Sequence, residues 1–432
     1  MHCFLNSAQT LLKKGLAIIY WIGKVIRLMN SKNGLRATVM NVVLLGVAGL
    51  LSACGGGGGS GSAAAPTGPV FTVVETIAGQ AGVRGSADGD GNLATFNYPA
   101  SVAATQPRGS TNSGVVLLYI AGGDEKIRVQ QVGTTTNPVS TAVGIGQSGS
   151  LDGGAAIAKV RSPTGMGIGD EGPTYSQTGA AYWTEPNSCD ANCGPGTPGS
   201  VIRKLTDYPL NGNRGAATIA GSATQKGAAD GAGINARFNQ PQGLVYNRRT
   251  GELFIADSSN YTIRRLRFTA DYLVDTIAGL AGQMGTVDGA GASARFNFLF
   301  GIAMDRAENL YVTEYYCIRK ITPTGMVSTF AGKCDGSGGY VDGLAVDARF
   351  NGASGIAVDE DSNVYVTERV SHTVRKISQA GVVTTVAGVA GVVGAASGAL
   401  SVATFNTPQG LSYYNKQLFV ADTNNQTIRR IR

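Results

Sequence analysis

Between positions 355 and 388 the sequence reads GIAVD (355–359), NVYVTE (363–368), TVRKI (373–377) and VTTVAG (383–388), with short connections between the runs. Each run is rich in β-branched residues and alternates apolar with polar side chains, which is the two-residue period of a β-strand. The stretch therefore predicts an antiparallel sheet of four short strands. One such sheet cannot bury its faces alone, so copies of it must stack.

The same phrase occurs six times along the chain. Its fourth strand ends in a short Thr-to-Gly sequence at 76–79, 141–144, 218–221, 276–279, 329–332 and 385–388. Its second strand ends at 119–122, 182–185, 254–257, 311–314, 365–368 and 419–422. Its third strand carries arginine at 128, 203, 264, 319, 375 and 429. Radial stacking of these copies predicts an all-β fold, a six-bladed β-propeller of four-stranded antiparallel blades.

The two ends of the repeat region complement each other. The sequence ends at Arg432, directly after a third strand, whereas Phe71–Gly79 reads as a fourth strand that no blade precedes. We expect this N-terminal strand to complete the last blade and close the ring, because closure removes open sheet edges that otherwise pair with other chains.

The GIAVD, VYVTE and VRK series resembles NHL repeats, and the resemblance covers Phe71–Arg432. It implies a propeller architecture but no single activity. Similar propellers serve as protein-binding, RNA-binding and sugar-binding platforms, and a few are lyases or lactonases. The function must therefore be argued from the side chains of this chain.

The N-terminal segment indicates export. An apolar run, Asn41–Leu51, follows the basic residues Lys32 and Arg36 and is followed by Ser52, Ala53 and Cys54, which is the arrangement of a signal peptide. The sequence from Leu51 to Cys54 resembles a bacterial lipobox, which implies that residues 1–53 are removed and that Cys54 is lipidated. An ordinary signal peptide or a retained membrane anchor is the alternative.

The segments on either side of this signal have different roles. Residues 1–28 precede Met29, a more natural start, and we interpret them as an extension of the gene model. Residues 54–70 are rich in Gly, Ser and Ala, which predicts a flexible tether, and residues 71–432 form the propeller domain. Gly55 stands where an aspartate favours retention in the inner membrane, so the resemblance implies anchoring in the outer membrane.

The charge balance argues against a nucleic-acid partner. The chain has 35 Lys and Arg against 28 Asp and Glu, a formal net charge of +7. Six basic residues and no acidic ones precede Cys54, so removal of the leader lowers the net charge to +1. The remaining Arg-Arg and Arg-Lys pairs occur on the third strands around the ring, which suits solvated strand faces and ion pairs between blades better than a phosphate-binding stripe.

The cysteines agree with an oxidising compartment. With the leader cysteine removed and Cys54 lipidated, four remain. Cys317 begins a third strand and Cys334 follows the antiparallel fourth strand of the same blade, so we expect them to form a disulfide. We expect a second disulfide between Cys189 and Cys193, within one loop. Zinc ligation is disfavoured because the two pairs lie two blades apart in sequence.

A long insert joins each fourth strand to the next blade, and most inserts contain Asp-Gly followed by Phe-Asn. Asp-Gly is a turn signal because glycine accepts positive φ, and the phenylalanine should plug the space between neighbouring blades. In the first insert Asp88, Asp90 and Asn92 have the alternating oxygen spacing of a calcium loop. Calcium is thus the one cofactor the sequence suggests, although later inserts replace the second acid with alanine, which favours a purely structural turn.

Acidic residues end the second strand of five blades, namely Glu185, Asp257, Glu314, Glu368 and Asp422. The loop after the second strand and the insert share one face of the disk, here called the insert face, near the mouth of the central channel. These carboxylates, together with Arg237, Arg295 and Arg349 of the inserts, form a candidate ligand face. The structural alternative is that each acid accepts hydrogen bonds from its own turn.

Catalytic groups are scarce in the predicted mature chain. It contains one histidine, His372, in a turn, and no Ser-His-Asp set or phosphate-cradling loop can be assembled. We therefore predict a non-catalytic, monomeric lipoprotein that binds a cell-envelope protein or a glycan through its insert face. The irregular segments 106–114, 172–179 and 187–200 are the expected partner surface. The alternative is a metal-dependent hydrolase or lyase, lactonase-like, with its site in the central channel.

Overall fold

The computed structural model describes residues 68–107, 114–169, 180–188, 198–207 and 214–432. All of them belong to one structural unit, Pro66–Arg432. The predicted leader, the lipidation site Cys54, most of the tether and the cysteine pair Cys189 and Cys193 lie outside the described residues, as does most of the irregular segments proposed as a partner surface.

The described strands form six antiparallel sheets. The N-terminal strand β1 spans Val73–Ala78. Blades 1 to 3 contain, in chain order, β2 (Pro99–Thr105), β3 (Val116–Gly122), β4 (Ile127–Val132), β5 (Val139–Val143), β6 (Gly153–Gly154), β7 (Met166–Gly169), β8 (Ala180–Ser188), β9 (Gly199–Asp207), β10 (Arg214–Ser222), β11 (Pro241–Asn247), β12 (Glu252–Asp257), β13 (Thr262–Arg267) and β14 (Leu273–Gly279).

Blades 4 to 6 continue the pattern. They contain β15 (Gly289–Ala290), β16 (Leu299–Met304), β17 (Leu310–Glu314), β18 (Cys317–Ile321), β19 (Met326–Gly332), β20 (Gly343–Leu344), β21 (Ala353–Val358), β22 (Val364–Glu368), β23 (Thr373–Ile377), β24 (Val382–Ala387), β25 (Gly398–Ala399), β26 (Pro408–Tyr414), β27 (Gln417–Asp422) and β28 (Thr427–Ile431). Three single 3-10 turns occur at Ser258–Asn260, Gly291–Ser293 and Thr423–Asn425.

The six sheets close into a ring around their innermost strands. Strands β2, β7, β11, β16, β21 and β26 each contact the next one in the series, and β26 contacts β2. The predicted six-bladed propeller is therefore confirmed. No helix among the described residues is long and apolar enough to cross a membrane.

The N-terminal strand closes the ring as predicted. Strand β1 pairs antiparallel with β28, with Val74 opposite Ile431 and Glu75 opposite Arg430. The sheet of blade 6 therefore contains β1 as a strand contributed from the opposite end of the chain. A side-chain contact reinforces this register, because Glu75 Oε1 lies 2.6 Å from Nε of both Arg430 and Arg432.

The inserts seal the gaps between blades. Their five Phe-Asn phenylalanines are 0–1% exposed, and each belongs to a core cluster that combines residues of two adjacent blades. They are Phe96, Phe238, Phe296, Phe350 and Phe405. This confirms the predicted plug. In blades 2, 4, 5 and 6 the insert also adds a two-residue strand to the outermost strand of its blade.

Adjacent blades approach most closely at the central channel. Thr313 Oγ1 donates a hydrogen bond of 2.6 Å to the carbonyl oxygen of Ser354 in the next blade, and Thr367 Oγ1 donates one of 2.6 Å to that of Gln409. Between them, a Cβ at Gly355 would lie 2.1 Å from the Gln409 carbonyl oxygen. The innermost strands therefore require glycine where the backbones of two blades meet.

Candidate ligand-binding site

The arginines of the third strands are fully buried. All six are 0% exposed, in contrast to the solvated strand faces expected from the sequence. They are Arg128, Arg203, Arg264, Arg319, Arg375 and Arg429. The inserts fold over them, and an aromatic ring lies 5.0–5.6 Å from each guanidinium carbon. A buried guanidinium requires charge compensation, and each blade supplies it in a similar way.

Blade 3 shows the arrangement in detail. Arg264 Nη1 lies 2.8 Å from Asp257 Oδ2, and its Nη2 lies 2.7 Å from Asp230 Oδ1. The same guanidinium donates hydrogen bonds to the carbonyl oxygens of Arg237 and Ala229, at 2.8 and 2.9 Å. The arginine thus joins the end of the second strand to the insert. We call this unit the arginine clamp.

The clamp recurs with the same geometry in three other blades. Arg203 binds Glu185 and Asp152, Arg319 binds Glu314 and Asp288, and Arg375 binds Glu368 and Asp342, all at 2.5–2.9 Å. In blade 6 Arg429 binds Asp422 at 2.9 Å and Ser397 Oγ at 3.2 Å. In blade 1, whose second strand ends in glycine, Asp124 supplies the missing carboxylate to Arg128 at 3.0 Å.

The five acids predicted as an exposed ligand ring therefore occupy the interior. They are 0–1% exposed, and the ligand-face interpretation of Glu185, Asp257, Glu314, Glu368 and Asp422 is corrected in favour of the structural alternative. Asp257 accepts hydrogen bonds from the Asn239 amide at 2.8 Å and from Asn260 Nδ2 at 2.7 Å. Residues in the insert and in the following turn thus satisfy the carboxylate.

Burial is the largest influence on the pKa values of four of these acids. It raises the pKa of Asp257 to about 6, although the Arg264 guanidinium acts in the opposite direction. Burial likewise raises the pKa of Asp422 to about 6, opposed by hydrogen bonds from Asn406 and Asn425. The pKa values of Glu314 and Glu368 are raised for the same reason.

The predicted calcium residues lie in the equivalent insert of blade 1. Asp88 Oδ1 lies 2.6 Å from Arg128 Nη2, and Asp88 also accepts hydrogen bonds from the Thr141 amide and hydroxyl at 2.9 and 3.1 Å. Asp152, Asp230, Asp288 and Asp342 have the same two kinds of partner in their blades. The other inserts have no acid at the position that corresponds to Asp90. The feature that recurs in the inserts is therefore the clamp and not a set of calcium ligands.

The three insert arginines bind their own loops. Arg237 and Arg295 each hold a glutamine side chain, Gln225 and Gln283, and donate to carbonyl oxygens of the same insert. Arg349 donates to the carbonyl oxygens of residues 346, 347 and 348. These arginines do not pair with the second-strand acids, because the third-strand arginines already occupy those carboxylates.

The predicted disulfide between Cys317 and Cys334 is present. Glu314 lies near the two sulfur atoms, and these three residues are the one group of three close metal-ligand types among the described residues. Both sulfurs are used in the disulfide, and Glu314 is bound to Arg319. The group is therefore not suited to hold a metal ion.

The central channel has a volume of about 410 Å³ and is lined by all six innermost strands. Its polar lining consists of hydroxyl and amide side chains, with Arg248 and Arg369 as its charged residues. Among the described residues that line it there is no Asp, Glu, His or Cys. His372 lies outside this lining, where its Nδ1 accepts a hydrogen bond from the Thr407 amide.

A second cavity, of about 650 Å³, lies on the insert face over blade 4. We define the aromatic cleft by four of its lining residues, Phe298, Phe300, Tyr315 and Tyr316. The ring centroids of Tyr315 and Tyr316 are 4.8 Å apart, and those of Phe300 and Tyr315 are 6.2 Å apart. Phe298 is 48% exposed, and the disulfide forms part of the wall.

The aromatic cleft adjoins the mouth of the channel. Phe300 lines both cavities, and Arg369, from the loop after β22, lies over the rings of Phe300 and Tyr315 at 4.7 and 5.6 Å. The sequence contains one local signal for this site. Tyr315-Tyr316 forms a two-residue turn at the place where other blades have polar turns such as Ser258–Asn260 and Thr423–Asn425.

Comparisons with known proteins agree with the architecture. The family model of the NHL repeat matches residues 238–266, from the phenylalanine plug to the third strand of blade 3. NHL repeat-containing protein 2 of Bos taurus is 24% identical over 311 residues, and that of Homo sapiens is 25% identical over 309 residues. Each match covers 67% of this chain and 40% of the relative, so the chain spans well under half the length of these curated relatives.

Solved structures show the same fold. A protein of unknown function from Bacteroides thetaiotaomicron has a TM-score of 0.57 and 20% identity, with coverage of 83% of this chain and 75% of that one. An auxiliary nutrient binding protein from the same organism has a TM-score of 0.56 and 17% identity, with coverage of 84% and 76%. The chain is therefore a six-bladed β-propeller, and residues 238–266 match the NHL repeat.

Proposed function

We propose that the chain is a non-catalytic propeller that binds a glycan or a protein ligand through the insert face, as a monomer anchored by lipid in the bacterial cell envelope. The observation that carries the proposal is the aromatic cleft. One exposed ring, Phe298, and three partly exposed rings beside polar groups provide the flat apolar surfaces and hydrogen-bonding groups that ligand sites use.

The distribution of exposed apolar side chains also indicates that the insert face is the ligand-binding surface. Most of the large exposed hydrophobic residues lie in the inserts, among them Leu93, Ile234, Met284 and Val346. Side chains of this kind gathered on one part of a surface mark an interaction site. The fold relative that is named an auxiliary nutrient binding protein fits a binding role by analogy of fold.

The channel lining favours binding over the alternative, a metal-dependent hydrolase or lyase. Such an enzyme would need carboxylates or imidazoles directed at the channel. The described lining residues provide hydroxyls, amides and two arginines instead, and the second-strand acids are held in the arginine clamps.

A glycan array tests the proposal. The purified protein should bind a defined subset of oligosaccharides, and Phe298→Ala should weaken that binding about 2- to 10-fold, because stacking on a ring contributes about 0.5–1.5 kcal/mol. Met326→Ala is the matched control, since Met326 is 49% exposed and lies outside the inserts. A protein ligand would show no array signal but would bind with the same dependence on Phe298. Equal effects of the two substitutions on every ligand would contradict the proposal.

A further inference from the structure

Arg369 differs from the six buried clamp arginines. Each of the six clamp arginines has at least one carboxylate within 3.0 Å. Arg369 forms no ion pair with any carboxylate of the described residues. Its guanidinium lies over the rings of Phe300 and Tyr315 and is also hydrogen-bonded to the Tyr315 side chain. Burial lowers the pKa of Arg369, and Tyr315 only partly opposes this effect. A cation held in this way retains an unused capacity to bind an anion.

The position of Arg369 is fixed by its backbone. The Arg369 amide donates to the carbonyl oxygen of Gly352 at 2.8 Å, and the amides of Gly352 and Ala353 both donate to the carbonyl oxygen of Tyr315 at 3.0 Å. One short segment therefore holds both the guanidinium and the ring beneath it. Preorganisation of this kind lowers the entropic cost of binding.

The surroundings of Arg369 suit an anionic, hydroxyl-rich ligand. The channel mouth offers the amide side chains of Gln242 and Gln409 and the hydroxyl of Ser354, and its described lining contains no carboxylate. The cleft contains one exposed acid, Asp335, whose side chain accepts a hydrogen bond from the Ser337 amide. Hydrogen bonds from Ser337 lower the pKa of Asp335, and the positive charges of Lys333 and Arg349 lower it further. These two cations partly offset the charge of Asp335.

We infer that the aromatic cleft and Arg369 together bind an acidic glycan, with a sugar ring stacked on the exposed aromatic side chains and a uronic-acid carboxylate held by the guanidinium. Arg has five N–H donors, more than its bond to Tyr315 uses, and paired N–H donors match a carboxylate. The inference rests on the proposed function and narrows its ligand class.

The test uses an array of uronic-acid oligosaccharides, each beside its carboxyl-reduced neutral form, with the full purified protein. We expect the acidic form to bind about 10- to 100-fold more tightly than the neutral one, the gain of a charge-assisted hydrogen-bond pair. Arg369→Gln should lower the ratio of acidic to neutral affinity to about 1, and Arg369→Lys should restore part of the preference for the acidic form. Arg306→Gln, at an exposed arginine in the loop between β16 and β17, is the matched control.

The outcomes separate the inference from the proposed function. If neutral and acidic forms bind equally and both depend on Phe298, the cleft binds glycans but the acidic preference is wrong. If Arg369→Gln and Arg306→Gln reduce acidic binding equally, the effect comes from overall charge and the assignment to Arg369 is wrong. If no glycan binds while a protein does, the ligand is not a glycan, and the inference that Arg369 binds a uronic-acid carboxylate is wrong.

Discussion

Nη1 of Arg375 lies 2.9 Å from Oε2 of Glu368, and both side chains are fully buried. The same arginine holds Asp342 of the insert at 2.5 Å, and Asp342 in turn accepts a hydrogen bond from the Thr385 amide of the outermost strand. One guanidinium thus ties the second strand, the third strand, the insert and the fourth strand of its blade. The clamp therefore holds the insert, which forms the insert face, in a fixed position on its blade.

Removal of a clamp arginine should strongly destabilise the propeller. Arg375→Met leaves the buried Glu368 carboxylate without its cation, and we expect a loss of about 3–5 kcal/mol in the free energy of unfolding. Lys376→Met, on the other side of the same strand and partly exposed, should cost less than about 1 kcal/mol. Chemical denaturation measures both. Similar losses for the two variants would show that the clamp is not a specific source of stability.

Ring closure should depend on pH through Glu75. Burial raises the pKa of Glu75, but hydrogen bonds from Arg430 and Arg432 outweigh it and hold the pKa below the ordinary value of 4.5. The carboxylate therefore adds stability above pH 4.5, and this contribution is lost as the pH falls through the folded-state pKa. Because Glu75 is partly exposed, Glu75→Gln should cost no more than about 1 kcal/mol at neutral pH.

The pH profile is the decisive readout for Glu75. The difference in unfolding free energy between the wild type and Glu75→Gln should shrink as the pH is lowered from about 5 to about 3. A difference that stays constant over this range, or that grows, would contradict the role of the Glu75 charge in closing the ring.

The disulfide between Cys317 and Cys334 should stabilise the propeller. Cys317 and Cys334 are 17 residues apart, and a cross-link that closes a loop of this size contributes about 3 kcal/mol in the chain-entropy treatment. Cys317→Ala/Cys334→Ala should lower the melting temperature under oxidising conditions, and most of the sensitivity of the wild type to a reductant should disappear in the variant. An unchanged melting temperature would argue against a stabilising cross-link.

The contact between blades at the channel can be tested with one methyl group. A Cβ at Gly355 would lie 2.1 Å from the Gln409 carbonyl oxygen, whereas a Cβ at Gly154 would meet no atom within 4 Å. Gly355→Ala should therefore destabilise the protein by about 1–3 kcal/mol through overpacking, and Gly154→Ala should change stability little. Thermal or chemical unfolding of both variants is the measurement. Equal effects would mean that the inner ring accommodates the methyl group.

Much of the fold could be predicted because it rests on repetition. Six copies of one strand pattern indicated the blades, the unpaired strand at Phe71–Gly79 indicated how the ring closes, and the antiparallel register indicated the bond between Cys317 and Cys334. Each of these features is local or follows from strand order, and strand order can be read from a sequence that repeats.

The candidate site was harder to predict because it depends on what covers each side chain. Arg375 occupies a polar position in the alternation of its strand, so the pattern places it in solvent, whereas the insert of the same blade buries it. The recurrence of an insert aspartate, a second-strand acid and a third-strand arginine in the same blades was the usable signal. The contact between Arg369 of blade 5 and the rings of Phe300 and Tyr315 of blade 4 crosses two blades, and strand periodicity carries no information about such a contact.

Site-specific photo-crosslinking in cells tests the central claim, ligand binding through the insert face, most directly. A photoreactive residue at position 298 lies in the cleft, and one at position 326 lies outside the inserts with nearly equal exposure, 48% against 49%. We expect position 298 to capture a specific envelope component, a glycan or a protein, and position 326 to capture none. Tyr316→Ala should reduce the capture at position 298. Equal capture from both positions, or capture from position 326 alone, would contradict this claim.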